Sequence, residues 1–244
     1  AHLTRWLAQT GADDVVLVSR SGRTVEVEGA RVHARSCDVT DRDALRGLVS
    51  DLDAQGLMPC AVIHAAGVLD DRLLSDVDVD SLIQVADPKV QGATLLQEFF
   101  GELDAFIVLS SVVGVLGNPG QVTYAMANAA LDGLVAQRRA AGLPGSSVAF
   151  GPWAGPGMAS GVKGAQLRRA GMLPLQPSEA LVAFAEVVGT GGSAVVADIS
   201  WSDAAAAYGA AASHRALLRE IPQAHSAAPV TTKVLAHLAG LPAA

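Results

Sequence analysis

"AFIVLSSVVGVLGNPGQVTYAMANAALDGLV", residues 105–135, joins two kinds of local pattern through a loop. Residues 105–111 are an apolar run that closes on two serines, which predicts a buried strand. Gly114, Gly117, Pro119 and Gly120 follow, and that density of glycine and proline predicts a loop. From about 120 to 141 the pattern is helical. The same β-α unit recurs on either side. Residues 15–18 of "DDVVLVSRSG" suit a strand buried on both faces, as in parallel sheets covered by helices. "ARVHARSCDV" (30–39), "CAVIHAAG" (60–67), "SSVAFGPW" (146–153) and "SAVVADIS" (193–200) read as further strands, with helical stretches near 41–54, 79–100 and 177–188. The alternation predicts an α/β fold with a doubly wound, mostly parallel, Rossmann-like sheet.

This unit also places chemistry. Ser111 closes the strand, Tyr124 stands thirteen residues later at the helix start, and Asn128 is one turn further along the same face. The intervening loop lets the serine hydroxyl and the phenol converge. The chain has only two tyrosines. A tyrosine at a helix start can equally do no more than pack its ring and bond a nearby carbonyl.

The totals exclude several classes. A chain of 244 residues, half of them hydrophobic, is long enough for one large core. Its net charge of −7 and lack of clustered Lys and Arg argue against nucleic acid as a partner. Cys37 and Cys60 lack metal-ligand spacing and read as buried free thiols, so no metal is expected. No run approaches the ~18 apolar residues of a membrane span. The first residues lack the layout of a secretion signal, and the chain reads as cytoplasmic.

Residues 1–10 read as a helix capped by Gly11, with no strand ahead of it. Only the non-helical "RSGRTVEVEGA", 20–30, separates the next two strands, although a parallel crossover needs about a dozen residues or more. The expectation is therefore that an N-terminal strand and turn, and several residues near 21–29, are missing from this chain. The Gly- and Pro-rich stretch after 150 reads as a lid at about 154–176 with one embedded helix. "PQAHSAAPV", from Pro222, reads as a linker leading into a helix-like "TTKVLAHLAGL". The expected organisation is a domain at 1–221 and a C-terminal linker at 222–244.

The serine-to-tyrosine spacing resembles the active site of short-chain dehydrogenases/reductases. "LSSVVGVLGNPGQVTYAMANAALDGL" most resembles the ketoreductase domains of modular type I polyketide synthases. "LVSR" (17–20), "CDVTD" (37–41), "HAAGVLDD" (64–71), "GPW" (151–153) and the terminal "LAGLPAA" extend the likeness through the chain. An ordinary short-chain dehydrogenase has lysine four positions after the tyrosine, where this chain has Asn128. The polyketide subfamily carries its lysine upstream, in a segment that "DPKVQGATLL" resembles, which maps that role onto Lys89.

The resemblance implies NADPH-dependent reduction of a β-ketoacyl chain held through phosphopantetheine on an acyl carrier protein, beside neighbouring domains of the same synthase. Tyr124 would donate the proton, Ser111 hold the carbonyl oxygen, Lys89 make the phenol a readier acid, and Asn128 position Lys89 or a water. Ser19 and Arg20 would meet the ribose 2′-phosphate, Asp38 and Val39 the adenine, Ala65, Ala66 and Gly67 the ribose side, and Pro152 the nicotinamide. Leu69, Asp70 and Asp71 resemble the Leu-Asp-Asp of B-type domains, which give a D-configured (R) hydroxyl. Met126 stands where epimerising B-type domains carry proline, so no change at the α-carbon is expected. The family's Gly-rich phosphate loop is not found, so a polypeptide beginning at Ala1 is expected to bind NADPH weakly. Two other readings stay open: a non-catalytic docking module of a megasynthase, and a free-standing short-chain alcohol dehydrogenase.

Overall fold

A computed structural model describes residues 2–156, 161–208 and 216–225. In chain order the elements are α1 (His2–Gln9), β1 (Asp14–Ser19), β2 (Arg31–Ser36), α2 (Arg42–Ala54), β3 (Ala61–His64), α3 (Val79–Ala86), α4 (Gly92–Phe100), β4 (Ala105–Ser111), α5 (Val113–Leu116) and α6 (Val122–Ala140). Then come β5 (Ser146–Phe150), α7 (Gly161–Arg169), β6 (Met172–Leu173), α8 (Pro177–Thr190), β7 (Ser193–Val196), β8 (Asp198–Ile199), α9 (Trp201–Tyr208), α10 (Ala216–Arg219) and α11 (Pro222–His225). They divide into two compact units, Ala1–Gly151 with Gln176–Val196, and Pro152–Leu175 with Ala197–Ala244.

The first unit is the α/β core. Its central ladder runs β3-β4-β5-β7, and every pairing in it is parallel. β1 and β2 form a second parallel ladder, in register from Asp14 opposite Arg31 to Ser19 opposite Ser36. A shared cluster binds the two: Val16 and Val18 of β1 and Val62 of β3 pack against Leu45, Leu48 and Leu52 of α2, Leu95 and Phe100 of α4, Phe106 and Val108 of β4, and Leu131 and Val135 of α6. Each such large side chain, fully buried, contributes roughly 1.5–3 kcal/mol. Beyond that cluster, α1 and α8 meet edge to face through Trp6 and Phe184, with centroids 5.3 Å apart. Because every paired strand in this unit is parallel, the carboxyl ends within each ladder share one edge, the edge at which open α/β sheets bind ligands.

Several expectations are corrected. β1 is only half-buried along residues 15–18, not covered on both faces, because it pairs with β2 alone among the described strands. The helix expected over 79–100 is broken by a π-turn at Asp87–Gln91. Pro88 is the cause: it has no N–H to return to the preceding turn, and its ring crowds the carbonyl there, so the backbone widens locally. The stretch at 193–200 splits into β7, in the central ladder, and β8, which pairs antiparallel with β6 in the second unit. Cys37 is buried, but Cys60 is exposed.

The second unit contains the β6-β8 pair and helices α7, α9, α10 and α11, with Leu218, Ala205 and Ala224 buried against Trp201, Tyr208 and Ile221. The lid expected at 154–176 carries α7 and β6, and its residues 157–160 lie outside the described residues. So does most of the expected linker, including the helix-like stretch and "LAGLPAA", although α11 occupies its first four positions. Among the described residues no helix is long and apolar enough to cross a membrane, and no cluster of His, Cys, Asp and Glu could hold a metal.

Candidate active site

Ser111 is the last residue of β4, fixed by parallel pairing to Phe150 of β5. The chain turns there as its hydroxyl accepts the Val113 N–H at 3.2 Å. Tyr124 is the third residue of α6, and Asn128 follows one turn later. The carboxamide of fully buried Asn128 donates to the Tyr124 backbone carbonyl at 2.7 Å, while its Oδ1 is buried with no partner among the described residues. The side chains of Asn128 and Ser111 both interact with the phenol. Ser111 and the Tyr124–Asn128 turn of α6 thus meet across the loop between them.

Lys89 comes to the same place from the π-turn. It is only 4% exposed. Its ammonium donates to the Leu109 carbonyl of β4 at 3.2 Å and lies 5.4 Å from the centroid of the Tyr124 ring. Gly67 makes room for it, because a Cβ there would stand 3.0 Å from Lys89 Cε. Burial lowers the Lys89 pKa to about 8, with Asp132 acting in the opposite direction. The ammonium therefore keeps its proton at pH 7 but holds it less firmly than a solvated lysine.

The phenol differs from the sequence expectation. Burial raises the Tyr124 pKa above its ordinary value, with Asn128 and Ser111 pulling it down. Lys89 sits 5.4 Å from the centroid of the ring, and burial is the largest influence on the phenol.

A second cluster gathers at the carboxyl ends of β1, β2 and β3. Ser19 closes β1 with a buried hydroxyl that has no partner among the described residues, and exposed Arg20 follows it. The Cys37 N–H bonds the Ser19 carbonyl at 3.1 Å and the Ser36 hydroxyl bonds the Arg20 carbonyl at 2.8 Å, tying both residues to β2. Asp38 is committed to its own turn, accepting from the N–H and hydroxyl of Thr40, and these bonds hold its carboxyl below the usual range, with a smaller contribution from Arg20. Val39 and His64 both pack beside Gly92. Ala65, Ala66 and Gly67 continue directly from β3. An unpartnered hydroxyl and an exposed guanidinium on successive residues are donor types that suit a phosphorylated ribose, the group that distinguishes NADPH from NADH. Pro152 belongs to the second unit, where its carbonyl accepts the Leu175 N–H at 2.8 Å.

The loop at 69–72 is laced to the residues just ahead of Tyr124. The Arg72 N–H bonds the Gly120 carbonyl at 2.9 Å, the Gln121 carboxamide donates to Asp71 at 3.1 Å, and the Thr123 hydroxyl reaches the Asp70 carbonyl at 3.4 Å. Arg72 also ion-pairs with Asp70 at 2.9 Å and with Asp78 at 3.2 Å. Sequence reasoning selected Asp70 and Asp71 but missed Arg72 and Gln121. The signal for Arg72 was a basic residue directly after two acids; nothing local marked Gln121.

The KR domain family model matches residues 1–155. Over 242 residues the chain is 42% identical to polyketide synthase GfsB of Streptomyces halstedii, covering 93% of this chain and 4% of that protein. It is 38% identical to the pikromycin polyketide synthase component PikAIII of Streptomyces venezuelae, covering 94% of this chain and 16% of that one. Among solved structures, the first ketoreductase of the tylosin polyketide synthase superposes with a TM-score of 0.81 at 38% identity, over 93% of this chain and 52% of that one. A structure of A-type ketoreductases from a modular polyketide synthase gives 0.84 at 35%, over 93% and 50%. The chain thus spans a small fraction of these synthases and about half of the solved ketoreductases.

Proposed function

This chain belongs to the KR domain family of polyketide synthases, and from that premise we propose that it reduces a β-ketoacyl thioester, carried on the phosphopantetheine arm of an acyl carrier protein, to the D-configured (R) β-hydroxyacyl thioester with NADPH. The observation that carries this reading is the convergence of Ser111, Lys89 and the Tyr124–Asn128 turn from three separate places in the chain. A docking module has no use for a buried ammonium held against a half-buried phenol, since the desolvation this costs is not required by packing alone.

The reaction adds hydride to a carbonyl carbon while negative charge collects on oxygen. NADPH supplies the hydride when bound, because no side chain can. Ser19 and Arg20 would hold its 2′-phosphate, with Val39 and residues 65–67 nearby at the same strand ends. Ser111 and Tyr124 direct their O–H groups at the substrate oxygen, the donor arrangement that stabilises charge developing there. The Tyr124 O–H bond then breaks and its proton passes to that oxygen. The phenol's raised pKa keeps it protonated until the substrate oxygen becomes a strong base. Lys89, charged at pH 7 and facing the ring, stabilises the phenolate left behind. Asn128 fixes the helix turn that presents Tyr124, and its free Oδ1 is an acceptor for Lys89 or for a water that returns the proton.

The stereochemical part rests on the loop rather than on overall likeness, since A-type ketoreductases are among the similar folds. Leu69, Asp70 and Asp71 are held against the start of α6 by Gln121, Thr123 and Arg72, so they can limit the side from which the acyl chain enters. The tryptophan of A-type loops is absent between 112 and 123, and Met126 replaces the proline of epimerising domains.

Tyr124→Phe tests the assignment in the native polypeptide. The ring still packs, and ketothioester-dependent NADPH oxidation is expected to fall by about 10²–10⁴. An unchanged rate would remove Tyr124 as the acid. Chiral chromatography of the product tests the rest, and an L-configured hydroxyl would overturn the B-type reading.

A further inference from the structure

We infer that His64 is a positioning residue for the lysine of this site, because its buried imidazole anchors the backbone of the π-turn from which Lys89 reaches β4. His64 closes β3 and is only 3% exposed. Its Nε2 lies 2.9 Å from the Lys89 carbonyl, and the ring also bonds toward the Pro88 carbonyl. Since the acceptor is a carbonyl, Nε2 carries the proton and donates it.

The need for such an anchor follows from the turn itself. A π-turn is a local widening with poorer stabilisation than the helix around it, and Pro88 has already removed one of its N–H donors. The Gly92 N–H closes the turn on the carbonyls of Asp87 and Lys89. His64 adds a bond from a rigid strand, and β3 is paired directly to β4, where the Lys89 ammonium ends. Main chain and side-chain tip of Lys89 are therefore fixed to adjacent strands of one sheet. Gly92 leaves room for the ring, because a Cβ there would stand 3.2 Å from His64 Cε1 and 2.9 Å from Val39 Cγ2. Among the described residues the imidazole forms no hydrogen bond to Ser111, Tyr124 or Asn128, so it acts through Lys89. Burial holds the ring neutral at physiological pH, its pKa lowered to about 4, against the hydrogen bonds to the Lys89 and Pro88 carbonyls, which act in the opposite direction.

The inference rests on the reductase reading for its consequence in catalysis, but its test does not depend on turnover. The chain has three lysines, Lys89, Lys163 and Lys233, so selective ¹³Cε-lysine labelling gives few signals, and Lys89→Arg assigns the one of interest. His64→Leu removes the donor and His64→Gln retains an N–H at similar reach. In wild type and His64→Gln the Lys89 signal is expected to titrate near 8; in His64→Leu it is expected to move toward the ordinary 10.5 as the side chain loses its fixed depth. In steady-state assays His64→Leu is expected to lower kcat about 10- to 100-fold with both KM values nearly unchanged, and His64→Gln to restore most of it. If the Leu variant does not fold, His64→Asn, whose carboxamide is too short to reach the Lys89 carbonyl, takes its place. An unmoved Lys89 titration in the Leu or Asn variant, or a folded Gln variant as impaired as the Leu variant, would overturn the inference. A wild-type protein that reduces no ketothioester, but whose Lys89 titration still follows His64, would instead refute the reductase reading alone.

Discussion

The wall built by β4, α6 and the π-turn contrasts with the corner built at the ends of β1 and β2. In the wall, every strand residue of β5 is buried, β4 is nearly so, and Ser111, Lys89 and Asn128 are sealed in. In the corner, β1 is half-exposed, Arg20 lies in solvent, and Asp38 spends its carboxylate on its own turn. The difference separates two demands. Proton transfer needs groups held to fractions of an ångström in a dry environment, which only packed elements supply. Recognition of a phosphate needs a charge within reach, which a solvated side chain at a strand end can provide.

Substitutions should reproduce that division. Lys89→Met has the largest expected effect and strikes the wall in two opposite senses. Activity should fall at least about 100-fold, yet thermal stability at pH 7 should rise, because an ammonium buried at a cost is replaced by an apolar chain of similar length. The sign of the pH dependence follows from the Lys89 pKa, lowered from 10.5 to about 8. Between those values the unfolded chain keeps a proton that the folded chain has lost, so wild-type stability gains on raising the pH through that window. Urea titrations of both proteins across pH 8–10.5 check this, and an identical slope in the Met variant would contradict it.

Arg20→Ala should act on the corner alone. The KM for NADPH is expected to rise about 10- to 100-fold, the loss of one charge-assisted contact, with kcat held and the KM for NADH barely moved. A fall in kcat of the same size would erase the distinction between the two regions. The acid limb of stability offers a third measure. His64 is held down to about 4 from 6.5, so the unfolded chain takes up a proton first as the pH drops. Stability should decline between pH 6.5 and 4 by roughly 3 kcal/mol, and His64→Gln should flatten that part of the denaturation profile. The smallest change is expected for Gln121→Ala, which removes the carboxamide's hydrogen bond to Asp71. It should leave kcat within a few-fold and raise the minor stereoisomer, as read by chiral chromatography.

Much of this was legible in the residues. Apolar runs closed by serine, glycine or histidine marked the strand ends, and the thirteen-residue spacing from Ser111 to Tyr124 was enough to bring those two together. The reading failed where an element's local pattern and its neighbours disagreed. Residues 79–100 look continuously helical by hydrophobic spacing, and Pro88 was the overlooked sign that the backbone must widen there. "SAVVADIS" has one uniform strand pattern, but its two halves find partners in different units. Cys60 was taken as buried from its apolar neighbours, yet it stands one residue ahead of β3 and faces solvent.

The amino-acid order alone determined the β-α rhythm, the family likeness and the candidates for the reacting groups, because periodicity and short-range spacing are properties of the chain. It could not determine that Lys89 meets the face of the Tyr124 ring, that the phenol is made a weaker acid by burial, or that His64 bonds the carbonyl beneath the ammonium. Those facts depend on which surfaces exclude water and on contacts between residues 20 to 35 positions apart, and only the packed sheet and its helices decide them.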